Sequence, residues 1–169
     1  MPRLAFATDL HGHPKRYQAL FQRLEQNPPD LILLGGDLMP HGFAGVNGDF
    51  LSEIFLPGFS ELRESLGERY PRVYLILGND DGKSAESWFI EQAEKTGLWT
   101  YLHGNVIEDS GLTLIGYSYV PPSPFMLKDW EKYDVSRFTD PGCVSPEEGK
   151  YTYPVEMNEV RYATIAKDL

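Results

Sequence analysis

The 169-residue sequence has a single cysteine, Cys143, and no long hydrophobic run. One cysteine cannot form an internal disulfide bond, which favours a reducing compartment. A membrane-spanning helix needs a run of about 18 or more apolar residues, so no membrane span is expected. The N-terminus also lacks the longer apolar region and small-residue cleavage site of a signal peptide. We therefore expect a cytoplasmic protein.

Basic residues are also scarce, because 15 lysines and arginines stand against 25 acidic residues and give a net charge of −10. Proteins that bind duplex nucleic acid usually carry a basic stripe, and none is visible here. Nucleic acid is therefore an unlikely partner, and a nuclease ranks third among the functions considered. The apolar fraction of 41% is ample for a hydrophobic core, so we expect one folded domain over residues 1–169.

Strands and helices are predicted to alternate through the first part of the sequence. Short apolar runs predict strands at residues 3–8, 31–34 and 72–77. Apolar positions at helical spacing predict helices at 14–26, at 50–68 with a break at Pro57-Gly58, and at 84–95. This order predicts an α/β fold, with a mostly parallel sheet flanked by helices and right-handed crossovers.

Polar side chains follow each predicted strand. Asp9 and His11 follow the first strand, Asp37 the second, and Asn79 and Asp80 the third. Ligands of open α/β sheets bind at the carboxyl ends of the strands, so we expect these side chains to meet. Two carboxylates, an imidazole and an amide oxygen suit Mn, Fe, Zn or Ni. The alternative is that the aspartates form turns and His11 caps the next helix.

A carboxylate placed centrally, such as Asp37, can bridge two ions roughly 3.5–4 Å apart. Such an ion pair activates a water molecule and stabilises an in-line displacement at phosphorus. The residues by themselves therefore favour metal-dependent chemistry on a phosphate ester.

The remaining sequence is less regular. Short strands are predicted at 101–106 and 112–116, and a glycine-rich loop over the site at 39–49. Residues 117–153 carry many prolines and aromatic residues without a clear period, which predicts an insertion or loop-rich segment beside the site. Its aromatic side chains are expected to pack on the core. The alternatives are that they line a substrate pocket or cover an open edge of the sheet. Residues 155–168 are predicted to form a final helix.

Three motifs, Asp9-x-His11, Gly36-Asp37 and Gly78-Asn79, resemble the first three motifs of the calcineurin-like metallophosphoesterases in type and order. The resemblance covers about residues 4–120 and implies the N-terminal part of that family's four-layer sandwich. It also implies that Asp9 and His11 bind a first divalent metal ion and that Asp37 bridges to a second. Asn79 would bind the second ion and the phosphate.

The sequence departs from the family where a histidine commonly follows the asparagine and is proposed to protonate the leaving oxygen. Asp80 stands there, followed by Asp81. An ordinary aspartate is ionised at pH 7, so Asp80 can act as the acid only if burial or a like charge raises its pKa. We keep Asp80 as a candidate catalytic residue, with a loop-stabilising carboxylate as the alternative. The departure favours phosphodiesters or reactive monoesters as substrates.

The last two family motifs, a single histidine and Gly-His-x-His, are absent. Besides His11 the histidines are His13, His41 and His103. His13 and His41 are expected on exposed loops, with a phosphate contact as the alternative. His103 is expected at the surface, with a substitute ligand as the alternative. By resemblance the chain looks truncated at its C-terminus, and we expect the second metal site to be incomplete.

These observations predict a divalent-metal-dependent phosphoesterase that cleaves a phosphomonoester or phosphodiester with a metal-activated hydroxide. We expect its activity to be weak or absent in this short form. The alternative is a non-catalytic scaffold or protein-binding module on the same fold. A homo-oligomer, or a second chain that supplies the missing ligands, is a further expectation.

Overall fold

The computed structural model describes residues 1–41 and 50–169. Its main sheet has four parallel strands in the spatial order of the chain. These strands are β1 (Leu4–Ala7), β2 (Leu31–Gly35), β3 (Arg72–Ile76) and β4 (Thr100–Tyr101). The sheet and its flanking helices confirm the predicted α/β class. The loop predicted at 39–49 lies outside the described residues, apart from residues 39–41.

Three helices connect the strands: α1 (Pro14–Gln26), α2 (Leu56–Leu66) and α3 (Glu86–Thr96). A π-helical turn, Leu51–Phe55, runs directly into α2, so the expected break is a change of helix type just before Pro57. Within the described part of the chain, no helix is long and apolar enough to cross a membrane.

The main core lies between the helices and one face of the sheet. Phe55 is completely buried at its centre. Its ring centre lies 5.0 Å from that of Phe59, 5.2 Å from that of Phe89 and 5.1 Å from that of Trp99. Tilted and edge-to-face aromatic pairs at these distances add to the stabilisation from burial. This cluster therefore joins α2, α3 and the start of β4.

The opposite face of the sheet carries an antiparallel hairpin of β5 (Val106–Asp109) and β6 (Leu112–Ile115). Leu114 packs there with Leu31 and Tyr74, which alternate with the residues of the main core. The predicted strand at 101–106 was wrong, because β4 ends at Tyr101 and β5 begins at Val106. Gly104, with φ of 72°, separates the two strands in a conformation that favours glycine.

The described residues 117–153 contain isolated β-bridges rather than strands or helices. Trp130 is nevertheless fully buried and belongs to the main core. The helix predicted at 155–168 was wrong as a single helix, because α4 (Met157–Tyr162) and α5 (Ile165–Asp168) are separate. The N–H of Ile165 donates to the carbonyl of Tyr133 instead of continuing α4.

A fully buried ion pair between Lys128 and Glu131 organises this segment. The Lys128 ammonium also donates to the Ser123 carbonyl at 2.9 Å. The second oxygen of Glu131 accepts the Ser123 hydroxyl at 2.5 Å. Buried charges are tolerated only when they are paired and hydrogen-bonded, and both conditions are met here.

Glu131→Gln would leave the Lys128 ammonium buried without a counter-charge. We expect it to lower the free energy of unfolding by about 3–5 kcal/mol, the usual cost of breaking a buried pair. Urea denaturation followed by circular dichroism measures this change. Glu91→Gln, in the exposed pair with Lys95, is the matched control and should cost less than about 1 kcal/mol. Equal effects in the two variants would contradict the stabilising role of the buried pair.

Candidate metal centre

The loops after β1 and β2 lie side by side at the carboxyl edge of the sheet. The N–H of Asp9 donates to the carbonyl of Gly36 at 3.2 Å, and the N–H of His11 donates to the carbonyl of Asp37 at 2.8 Å. These bonds extend the parallel pairing past the ends of the strands. They hold Asp9 and His11 directly beside Asp37.

Three residues of these loops have left-handed backbone conformations. The φ angles are 57° at Asp9, 49° at His11 and 53° at Asp37, and Ser110 is the one other such non-glycine residue in the described ranges. This region costs an L-residue roughly 1–2 kcal/mol, although aspartate and histidine tolerate it better than most. Such strain persists only where the surroundings impose it, and it is concentrated at functional sites.

The side chains of Asp9, His11 and Asp37 converge. One ligand atom from each lies within 4.8 Å of the other two, and His11 Nε2 is 3.7 Å from an oxygen of Asp9. Nitrogen and oxygen ligands lie about 2.0–2.2 Å from a bound ion such as Zn²⁺, so a small closing movement would place all three on one ion. In the ranges 1–41 and 50–169 this is the one such group of three.

Negative charge is crowded around Asp37. Burial raises the pKa of its carboxyl, and the charges of Asp80 and Asp9 raise it further. The N–H of Asp80, 2.9 Å from Asp37 Oδ1, and the nearby His11 act in the opposite direction. A cation among these carboxylates would remove the repulsion that opposes their ionisation.

Asp80 lies between two imidazole rings. Its Oδ2 is 2.8 Å from Nδ1 of His41 and 3.1 Å from Nδ1 of His11. His11 Nδ1 is buried and has no well-oriented hydrogen bond within the described residues, whereas the His41 side chain is 82% exposed. The structure thus brings His41 to the site as an exposed loop histidine, while His13 stays exposed at the start of α1.

Asp81 turns inward and is completely buried. Its carboxylate accepts N–H groups from Leu38 at 3.0 Å, from Met39 at 2.8 Å and from Gly78 at 2.9 Å. Burial raises the pKa of Asp81 to about 7, although these three donors favour the charged form. The sequence suggested Asp81 only as a like charge for Asp80. No sequence signal distinguishes the two neighbours, because the turn after β3 decides which one is buried.

The loops after β2 and β3 touch through their glycines. A Cβ on Gly36 would lie 2.6 Å from the Gly78 backbone, and one on Gly78 would lie 2.3 Å from Asp37 Oδ1. Asn79 is therefore held beside Asp37, half-buried. Its role as a ligand, like that of Asp9, His11 and Asp37, stays a prediction.

His103 lies apart from this group. It is half-buried, its ring centre is 5.0 Å from that of Trp130, and its Nδ1 accepts the Ser118 N–H at 3.0 Å. Burial lowers the pKa of His103 to about 4, with help from the charges of Lys83 and Lys132. The expected surface histidine is therefore partly enclosed, and one of its two nitrogens is already bonded.

Comparisons with known proteins identify one family. Residues 2–147 match the family model described as calcineurin-like phosphoesterase, and this range contains every residue of the candidate metal group. No curated protein matches the sequence. A solved crystal structure is similar over 69% of this chain, with 15% identity and a TM-score of 0.47. This chain covers 53% of that chain, or about half its length.

Gly78→Ala would force the Asp37 loop away from β3, because the new Cβ meets both the backbone and the side chain of Asp37. We expect a loss of about 1–3 kcal/mol in the free energy of unfolding, the usual cost of overpacking. Gly104→Ala is the control, since its Cβ would meet no atom within 4 Å and it costs only left-handed strain of about 1–2 kcal/mol. Urea denaturation measures the free energy of unfolding of both variants. A smaller loss in Gly78→Ala than in Gly104→Ala would contradict the close contact.

Proposed function

The chain belongs to the calcineurin-like phosphoesterase family, and on that premise we propose that it hydrolyses phosphate esters with a divalent metal ion. The observation that carries the proposal is the convergence of Asp9, His11 and Asp37 at the carboxyl edge of a parallel sheet. Phosphate-ester substrates follow from the family.

The donor set of this group fits a divalent ion. Two carboxylates and an imidazole suit Mn, Fe, Zn or Ni. Burial raises the pKa of Asp37, and the neighbouring carboxylates of Asp80 and Asp9 raise it further, so a bound cation would favour its charged form. When bound, a divalent ion lowers the pKa of water and neutralises charge on the phosphoryl oxygens. We propose that Asp9, His11 and Asp37 hold this ion.

A second ion would have fewer ligands. We propose that Asp37 and the Asn79 amide would hold this second ion, and that Asn79 also orients the phosphoryl oxygens. No further group of three or more acidic, histidine or cysteine side chains converges among residues 1–41 and 50–169. We therefore expect the second ion to bind more weakly than the first.

The proposed proton donor is His41, which lies beside Asp80. Asp80 accepts from the Nδ1 side of His41, which leaves Nε2 on an exposed ring. A histidine oriented by a carboxylate is a common proton donor in enzymes. We propose that His41 holds the proton for the leaving oxygen. Asp80 then positions His41 and His11 and does not itself donate, which replaces the acid role first considered for Asp80.

Mn²⁺ titration followed by hydrolysis of bis-p-nitrophenyl phosphate tests the proposed function. We expect at least one bound Mn²⁺ and measurable hydrolysis in the full chain. Asp37→Asn should weaken Mn²⁺ by about tenfold or more and abolish hydrolysis, because it removes the central carboxylate. Asp140→Asn, an exposed loop aspartate, is the control and should change neither. Absence of Mn²⁺ binding would refute the proposal, and tight binding without turnover would favour the scaffold alternative.

Comparing leaving groups tests the proton donor. His41→Gln should barely affect p-nitrophenyl esters, whose leaving oxygen needs no proton. It should slow release of methanol from methyl phosphate, whose leaving oxygen needs a proton, by about 100-fold or more. His13→Gln, exposed at the start of α1, is the control. Equal losses for good and poor leaving groups would exclude a proton-donating role for His41.

A further inference from the structure

A cavity of about 410 Å³ lies between the turn after β3 and the irregular C-terminal part of the chain. Lys83, Tyr119, Lys132, Tyr153 and Val160 are among the residues that line it. None of the candidate metal ligands does. Small-molecule sites typically have volumes of about 300–1,000 Å³, so the cavity is large enough for a small ligand.

The ammonium of Lys83 sits among aromatic rings at the wall of this cavity. Lys83 Nζ lies 4.5 Å from the ring centre of Trp130, 5.5 Å from that of Tyr153 and 4.9 Å from that of Tyr119. It also donates to the Tyr119 hydroxyl at 2.5 Å. Among the described residues it forms no ion pair within 4.0 Å. Aromatic faces stabilise a half-buried cation only in part, so the ammonium would gain from direct contact with an anionic group.

The buried carboxylates that line the cavity already have hydrogen-bond or ion-pair partners. Asp129 is buried and accepts the N–H groups of Lys83 at 2.6 Å and of Thr152 at 2.9 Å. Glu131 is paired with Lys128. The other two acids of the lining, Glu156 and Glu159, are exposed. Of the three lysines that line the cavity, Lys83 is thus the one without a carboxylate partner among the described residues.

A second ammonium lies beside the same tyrosine ring. Lys132 Nζ is 3.8 Å from the ring centre of Tyr119, and it pairs with Asp168 at 2.6 Å. Burial lowers the pKa of His103 nearby, the charges of Lys83 and Lys132 lower it further, and the charge of Asp168 acts in the opposite direction. Lys132 is therefore already compensated, which leaves Lys83 as the ammonium that an anion would meet.

We propose that this cavity binds a small organic anion, a carboxylate or phosphate on an aromatic or apolar body. The anionic group pairs with the Lys83 ammonium, and the body packs against Tyr119, Tyr153 and Val160. Pro154, Val155 and Ala163 complete the apolar part of the lining. This site is independent of the proposed hydrolysis and requires no metal ion.

Isothermal titration of the full chain in EDTA, with benzoate and phenyl phosphate as probes, tests the proposal. Lys83 follows Asp80 by three residues, so the two positions lie within about 11 Å and the experiment has to distinguish them. EDTA and an Asp37→Asn variant serve that purpose. We expect one equivalent of probe to bind, with the same affinity in Asp37→Asn. Tighter binding of benzoate identifies a carboxylate ligand, and tighter binding of phenyl phosphate identifies a phosphate.

Lys83→Met keeps the apolar stem but removes the charge, and should weaken binding about tenfold or more, as expected for a charged hydrogen bond. Lys83→Arg should retain binding and shows that the fold tolerates change at this position. Lys95→Met, on the exposed side of α3, is the matched control. Unchanged affinity in Lys83→Met, loss of binding in Asp37→Asn, binding of phenethylamine instead of the anions, or no binding of either anion would overturn the proposal.

Discussion

The candidate site depends on one buried carboxylate that nothing in the sequence marks as special. Asp81 accepts N–H groups from the loop after β2, at Leu38 and Met39, and from the loop after β3, at Gly78. A buried charge without such donors is strongly destabilising, so the two loops have to keep the positions that supply them. Asp37 and Asn79 are each within two residues of these donors. Their proximity is therefore fixed by a residue that is not itself in the ligand group.

The same edge of the sheet combines strain with electrostatic repulsion. Asp9, His11 and Asp37 hold left-handed backbones, and burial together with the carboxylates around Asp37 raises the pKa of Asp37. Neither feature stabilises the fold, and both are maintained by hydrogen bonds between the loops and by contact between Gly36 and Gly78. This arrangement is what a preformed cation site requires, because the protein rather than the ion organises the ligands.

The irregular part of the chain follows a different principle. Residues 117–153 form few backbone ladders, so side chains determine their course. The buried Lys128–Glu131 pair fixes one turn, and Asp129 ties that turn to Lys83 and Thr152. Trp130, between them in sequence, then fills the main core. The cavity beside Lys83 arises because this segment meets the turn after β3 through aromatic rings that leave space between them.

The sequence by itself determined the elements whose signals are local. Pro14 and the apolar spacing after it predicted α1, and the apolar runs before Asp9, Asp37 and Asn79 predicted three parallel strands, with the polar side chains at their ends. It did not predict the boundary between β4 and β5, because Tyr101 and Val106 lie close enough in sequence to resemble one strand, whereas the chain turns at Gly104 between them. Only the tertiary structure decided that Asp81 turns inward while Asp80 faces His41, and that Lys83 lies among Tyr119, Trp130 and Tyr153. Those contacts join residues far apart in the chain, where burial and charge compensation act and local propensity carries no information.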